Sequence, residues 1–143
     1  MEKTVARILE DKGSEVWTVA PDASVYAALE VMADKGVGAL VVVDGGRPVG
    51  IVSERDYARK VILLERASRD TPVREIMTAD LVTVAPTDST VACMQTMTDQ
   101  RIRHLPVVVD GVLVGIVSIG DVVRSVIDQQ RFMIEQLEGY ITG

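Results

Sequence analysis

The chain has 143 residues, 48% of them hydrophobic and only 3% aromatic, with a formal charge of −6 at neutral pH. That length supports a real core, which Val, Ile, Leu, Met and Ala must supply, and the acidic balance argues against general binding to nucleic acid or to anionic membranes, both of which need a basic surface. A lone cysteine, Cys93, rules out an intrachain disulfide, no apolar run approaches the roughly 18 residues of a membrane span, and the charged residues 1–16 do not read as a signal peptide, so a cytoplasmic location is expected.

Residues 1–16 are a lead-in built around Val5-x-x-Ile8-Leu9. Residues 17–65 form a first unit of structure. Trp17-Thr18-Val19 is extended and ends at Pro21. Asp22 or Ser24 caps a helix to about Lys35, with Val25, Ala28, Leu29 and Met32 inward and Gly36 as its stop. Ala39–Val43 is an unbroken apolar run, the pattern of a strand buried on both faces. Asp44-Gly45-Gly46 is turn chemistry, Val49–Ser53 the returning strand, and a second helix begins near Glu54. The order is β-α-β-β-α. Residues 66–72 are a polar linker ending in Pro72.

Residues 73–130 repeat the pattern. Val73-x-x-Ile76-Met77 opens them, as Val5-x-x-Ile8-Leu9 opens the chain. A helix follows Ser89 with Val91, Met94 and Met97 inward. A strand at Pro106–Val109, a turn at Asp110-Gly111 and a strand at Val114–Ser118 come next, and a helix starts near Gly120. That helix runs on through residues 131–143, with Val122, Val123, Val126, Ile127, Met133, Ile134 and Leu137 as an apolar stripe. The stripe serves either to close the chain's own core or to pack on a second subunit.

Residues 18–62 and 83–127 align without a gap at an offset of 65, and about 21 of some 45 positions are identical. Thr18-Val19-Ala20-Pro21 falls on Thr83-Val84-Ala85-Pro86, and Gly50-Ile51-Val52-Ser53 on Gly115-Ile116-Val117-Ser118. The predicted fold is therefore α+β, two pseudo-twofold β-α-β-β-α repeats sharing one core. Half the length alone would bury too little apolar surface.

The sharpest local motif is Gly50-Ile-Val-Ser53-Glu-Arg55-Asp56 and its echo Gly115-Ile-Val-Ser118-Ile-Gly120-Asp121. Each ends a buried strand in a serine and sets an aspartate three residues later on the first helical turn. Two readings stand side by side. Ser-x-x-Asp is a capping box, with the carboxylate favoured at the positive helix end. The same geometry offers N–H groups to a phosphate and a carboxylate to the hydroxyls of a ribose.

The doubled β-α-β-β-α pattern, with Gly-h-h-Ser-x-x-Asp at the returning strand of each copy, resembles the cystathionine-β-synthase (CBS) domain pair, or Bateman module, over about residues 5–130. The resemblance implies a stand-alone regulatory module with two composite clefts for adenosyl ligands: AMP above all, otherwise ADP, ATP, NAD(H) or S-adenosylmethionine. It assigns one cleft to Ser118 and Asp121, with Thr18, Ala23, Val37 and Gly38 opposite. It assigns the other to Ser53, Arg55 and Asp56, with Thr83, Asp88 and Ile102 opposite. Arg103 and His104, just before Leu105-Pro106, match the place where the family commonly meets phosphate. Their repeat partners are Gly38 and Ala39, so the two clefts are expected to differ. The family commonly pairs modules, which implies a homodimer and an unidentified regulated protein.

One histidine and one cysteine cannot make a His/Cys metal cage, and Cys93 lies in a helical segment as a structural thiol. No Ser-His-Asp set and no Walker lysine is present, so neither enzymatic activity nor a catalytic cofactor is expected. The contrasting expectation is an interaction protein with degenerate clefts that docks a partner without nucleotide.

Overall fold

A computed structural model describes residues 3–142. The lead-in forms helix α1, Val5–Lys12, which Gly13 ends at φ 93°. Strand β1 is Thr18–Val19, helix α2 Val25–Lys35, and strands β2 and β3 are Ala39–Asp44 and Arg47–Ser53. Helix α3, Glu54–Tyr57, runs into a π-helical turn over Ala58–Ile62, and a 3₁₀ turn covers Val73–Glu75. The second copy supplies α4, Thr90–Gln100, strands β4, His104–Val109, and β5, Val112–Ser118, and the long α5, Ile119–Thr142.

Local chemistry accounts for these boundaries. The Ser24 hydroxyl accepts from the Ala27 N–H at 3.0 Å, capping α2, and Gly36 closes the helix in the left-handed region at φ 67°. Strand β2 lies between β1 and β3, parallel to the first and antiparallel to the second. Its first four residues are buried, which is why the sequence there does not alternate. A register shift at Val42/Val43 accommodates Pro48, which has no N–H for the ladder.

The second copy reproduces these devices. The Ser89 hydroxyl accepts from Ala92 N–H at 3.0 Å. The parallel bridge Val84↔Val107 repeats Val19↔Val42 at the offset of 65. The inward face of α4 is Thr90, Cys93 and Met97, the positions of Val25, Ala28 and Met32. This corrects one expectation. Val91 does not point inward but is 50% exposed, and Thr90 takes the slot that Val25 holds in the first copy.

The chain divides into two compact units. Of the described residues, one comprises 15–82 and 110–113, the other 3–14, 83–109 and 114–142. The first unit's core gathers Val25, Ala28, Met32, Leu40, Val42, Val52, Val61, Val73 and Ile76. In the second, Val5, Ile8, Val84, Cys93, Met97, Leu105, Val107, Val117 and Val122 are buried. Each unit thus holds one repeat together with the lead-in that precedes the other repeat in sequence.

Equivalent bonds dock the two lead-ins. Val73 N–H donates to Ala23 O at 2.8 Å and Arg74 N–H to Pro21 O at 3.0 Å. Val5 N–H donates to Asp88 O and Ala6 N–H to Pro86 O, both at 2.9 Å. Val5 and Val73 are fully buried, each worth about 1.5–3 kcal/mol. The docking explains the motif glycines. A Cβ on Gly50 would sit 2.7 Å from Met77 Sδ, and one on Gly115 2.8 Å from Leu9 Cδ2.

Candidate ligand-binding site

Two aspartates at helix starts carry the candidate chemistry, one in each unit. In the first unit, Asp56 and Ser53 form a reciprocal capping box. Ser53 N–H donates to Asp56 Oδ2 at 2.9 Å, Asp56 N–H to Ser53 Oγ at 3.2 Å, and the Ser53 hydroxyl to Oδ2 at 3.0 Å. Lys60, one turn on, reaches Oδ1 at 3.3 Å and donates to Ile76 O at 2.8 Å.

In the second unit, Ser118 N–H donates to Asp121 Oδ2 at 2.9 Å and Asp121 N–H to Ser118 Oγ at 3.2 Å. The lysine here comes from the lead-in. Lys12 Nζ lies 2.7 Å from Asp121 Oδ2 and donates to Ile116 O at 3.1 Å. Arg124 Nη1 stands 3.9 Å from Oδ1. The capping reading of Ser-x-x-Asp is thus realised at both positions, and each carboxylate also holds an ammonium. The resemblance did not point to Lys12 or Lys60. Lys60 is legible as an i, i+4 partner of Asp56, whereas Lys12 lies 109 residues from Asp121.

Electrostatics set the two groups beside each other apart. Burial alone would raise the Asp121 pKa, but hydrogen bonds from Lys12 and Ser118 outweigh it and hold the carboxyl below its usual range. His104 is held below its usual value, first by burial and then by the charge of Lys12, with Arg103 adding to the effect and Asp121 opposing it. It is therefore neutral at pH 7 and can offer a hydrogen bond but no charge. Asp121, Lys12, Lys3, Arg124, Ser125 and Asp128 line a cavity of about 340 Å³ between α1 and α5.

The remaining expected residues fall as follows. In the second unit, Arg103 and His104 adjoin Ser118 and Asp121, because Ile119 N–H donates to Arg103 O at 2.8 Å. Arg103 is exposed, and among the described residues neither it nor Arg101 has an ion pair. Thr83 is exposed ahead of Val84. The Asp88 carboxylate accepts from Ala85 N–H at 2.8 Å, and Ile102 N–H donates to Met97 O at 3.1 Å. In the first unit, Gly38 O accepts from Glu54 N–H at 3.0 Å, which sets Val37 and Gly38 beside the Ser53–Asp56 turn. Thr18 is exposed in β1, Ala23 precedes the α2 cap, and Arg55 is exposed. Trp17 is covered by Lys35, whose Nζ lies 4.4 Å from the ring centroid. Burial, and secondarily Asp88, push the Cys93 thiol up to about 11, which leaves it unreactive. Among the described residues no group of three or more His, Cys, Asp or Glu side chains is placed to hold a metal.

A family model for the CBS domain matches the chain twice, at residues 6–63 and 73–128. The chain is similar to a solved putative signal-transduction protein with CBS domains from Burkholderia ambifaria. The two are 54% identical at a TM-score of 0.85, covering 90% of this chain and 96% of that one. It is 43% identical to the mitochondrial CBS domain-containing protein CBSX3 of Arabidopsis thaliana, over 98% of this chain and 72% of the relative. It also matches the CBS domain pair of protein MJ0100, solved with 5′-methylthioadenosine and S-adenosyl-L-methionine. That pair is 25% identical at a TM-score of 0.77, covering 87% of this chain and 95% of that one.

Proposed function

The chain belongs to the CBS-domain family, and from that premise we propose that it is a regulatory module that senses an adenine nucleotide, AMP first, through Asp121 and Asp56. The observation that carries the reading is the pair of partly buried carboxylates at helix starts, each beside a lysine ammonium and set in register by the repeat. Asp121 is the hydroxyl acceptor for a ribose, with the helix N-terminus and the exposed Arg103 for phosphate. His104 contributes a neutral hydrogen bond. Ser53, Arg55 and Asp56 play the corresponding part in the first unit. Thr18, Ala23, Val37, Gly38, Thr83, Asp88 and Ile102 keep the base- and wall-forming roles that the family resemblance gives them. The complex of a related pair with two adenosyl compounds supports this ligand class.

Binding signals only if it favours one arrangement of the protein over another. The reading includes a homodimer formed through α5. Phe132, Met133, Ile134 and Leu137 are each more than half exposed, and the Ile134, Leu137 and Ile141 spacing lays an apolar stripe along one face. Sedimentation at tens of micromolar checks this, and a monomer alone removes the dimer. The reading also places the protein in the cytoplasm, which cell fractionation checks, since one relative is mitochondrial by name.

A thermal-shift panel of AMP, ADP, ATP, NAD(H) and S-adenosylmethionine tests the function. A ligand that binds only the folded state adds about 2.7 kcal/mol at a hundredfold excess over Kd. The exposed α5 stripe favours a second reading, a docking protein without nucleotide, and a flat panel at millimolar ligand would select it.

A further inference from the structure

We propose that Lys12 decides which ligands Asp121 accepts, admitting anionic nucleosides and disfavouring neutral or cationic ones. The inference rests on the nucleotide reading above and names the ligand class within it. Asp121 Oδ2 is already filled by the Ser118 N–H at 2.9 Å and by Lys12 Nζ at 2.7 Å. Among the described residues Oδ1 has only Arg124, at 3.9 Å, and that side chain is 73% exposed. A single ligand hydroxyl can therefore reach Oδ1 freely. A vicinal diol that engages both oxygens brings its second hydroxyl to Oδ2, where it competes with Lys12.

Lys12 does not leave the neighbourhood when it moves. It is the last residue of α1, which Val5 and Ile8 anchor in the core of the same unit. A second bond, to Ile116 O at 3.1 Å, keeps the ammonium against β5. Its displacement strands a cation beside a carboxylate only 12% exposed. A ligand phosphate restores a partner, a neutral nucleoside does not, and a sulfonium adds repulsion. Asp56 lacks this arrangement. Its Lys60 is on the same helical segment and touches the other oxygen, Oδ1, at 3.3 Å, although like Lys12 it also bonds a backbone carbonyl, Ile76 O.

The test is calorimetric titration of the full chain with AMP, adenosine and S-adenosylmethionine, for wild type, Lys12→Met and Lys12→Arg. Lys12→Met keeps most of the stem and removes the charge; Lys12→Arg keeps the charge. The wild type should favour AMP over both other ligands by at least about tenfold. Lys12→Met should shrink that preference about tenfold, because adenosine binds more tightly while AMP binds less tightly, and Lys12→Arg should retain it. The gain for adenosine is the specific sign, since removing a cation that only reads phosphate leaves adenosine unchanged. If the wild type binds AMP and the AMP-to-adenosine ratio is the same in Lys12→Met, the role of Lys12 is overturned and the nucleotide reading stands. If no protein binds any of the three, the nucleotide reading fails and takes this inference with it. Melting curves of both variants establish that they are folded.

Discussion

Asp121 is both a helix cap and the proposed ligand carboxylate, and a pair of substitutions separates the two roles. Asp121→Asn retains an oxygen to accept from Ser118 N–H but gives up the charge that holds Lys12. Asp121→Ala loses both. Loss of a capping group costs about 0.5–2 kcal/mol, and a partly exposed ion pair of this kind contributes about 1 kcal/mol or less. Asn should therefore cost under about 1 kcal/mol and Ala about 1–2 kcal/mol in urea denaturation. Affinity for AMP should behave differently. Both variants lose charge-assisted bonds to the ribose, so both should weaken binding about tenfold to hundredfold. A folded Asp121→Asn protein that binds AMP as wild type does would show that the carboxylate only caps the helix. The pH dependence gives a second check. The folded carboxyl lies below its ordinary value, so its stabilising effect is present above the unfolded pKa of about 3.9 and is lost as pH falls through the folded value. The stability gap between wild type and Asn should hold from pH 7 to about pH 5 and close in more acid solution. A gap that widens in acid would refute the assignment.

Three further outcomes are expected. Arg101 ends α4 at φ 56° where the first copy has Gly36, so Arg101→Gly should raise stability by about 0.5–1 kcal/mol, seen as a higher melting temperature. Gly50→Ala should destabilise more than Gly115→Ala, within the roughly 1–3 kcal/mol of overpacking. Its Cβ would meet the Thr78 carbonyl at 2.9 Å, inside the ladder that joins Ile51 to Thr78, whereas Gly115 faces only the mobile end of Leu9; equal urea midpoints would contradict this. Arg103→Ala should cut affinity for AMP about tenfold and leave adenosine nearly unchanged, with the difference shrinking as salt rises; equal losses for both ligands would mean that Arg103 shapes the site without reading phosphate.

Much of the fold was legible because local signals and the repeat agree. Ser24 and Ser89 cap helices as expected, Gly36 ends one, and the apolar run from Ala39 becomes a central strand. Val91 misled because apolar character stood in for burial. The helix is phased by its alignment with α2, so Thr90 faces inward with its hydroxyl unpaired while Val91 faces outward. A threonine is close to valine in shape, and the repeat register was the stronger evidence. The capping role of the serines and aspartates of the candidate site was legible for the same reason, as two copies of one motif. Lys12 was not, because no short-range pattern links positions 109 apart. The clue lay in the paired lead-ins, whose equivalence places residues near Val5 against the second copy.

That equivalence also explains why the two aspartates are not alike. The copies align at an offset of 65, but Val5 and Val73 are 68 apart. Thirteen positions separate Val5 from Thr18, and ten separate Val73 from Thr83. The three extra residues let the first lead-in complete an eight-residue helix, while the second makes only a 3₁₀ turn of three residues. Lys12 ends that longer helix, at the level where β5 gives way to the Asp121 turn. The shorter lead-in ends its 3₁₀ turn at Glu75 and presents the Ile76 carbonyl to Lys60 instead. A difference in length between two otherwise equivalent segments thus puts a cation from the lead-in helix on one carboxylate, while the other takes its cation from its own helical segment. Under the proposed function, the expected inequality of the two sites has one source in chain length, apart from any difference in the motifs themselves.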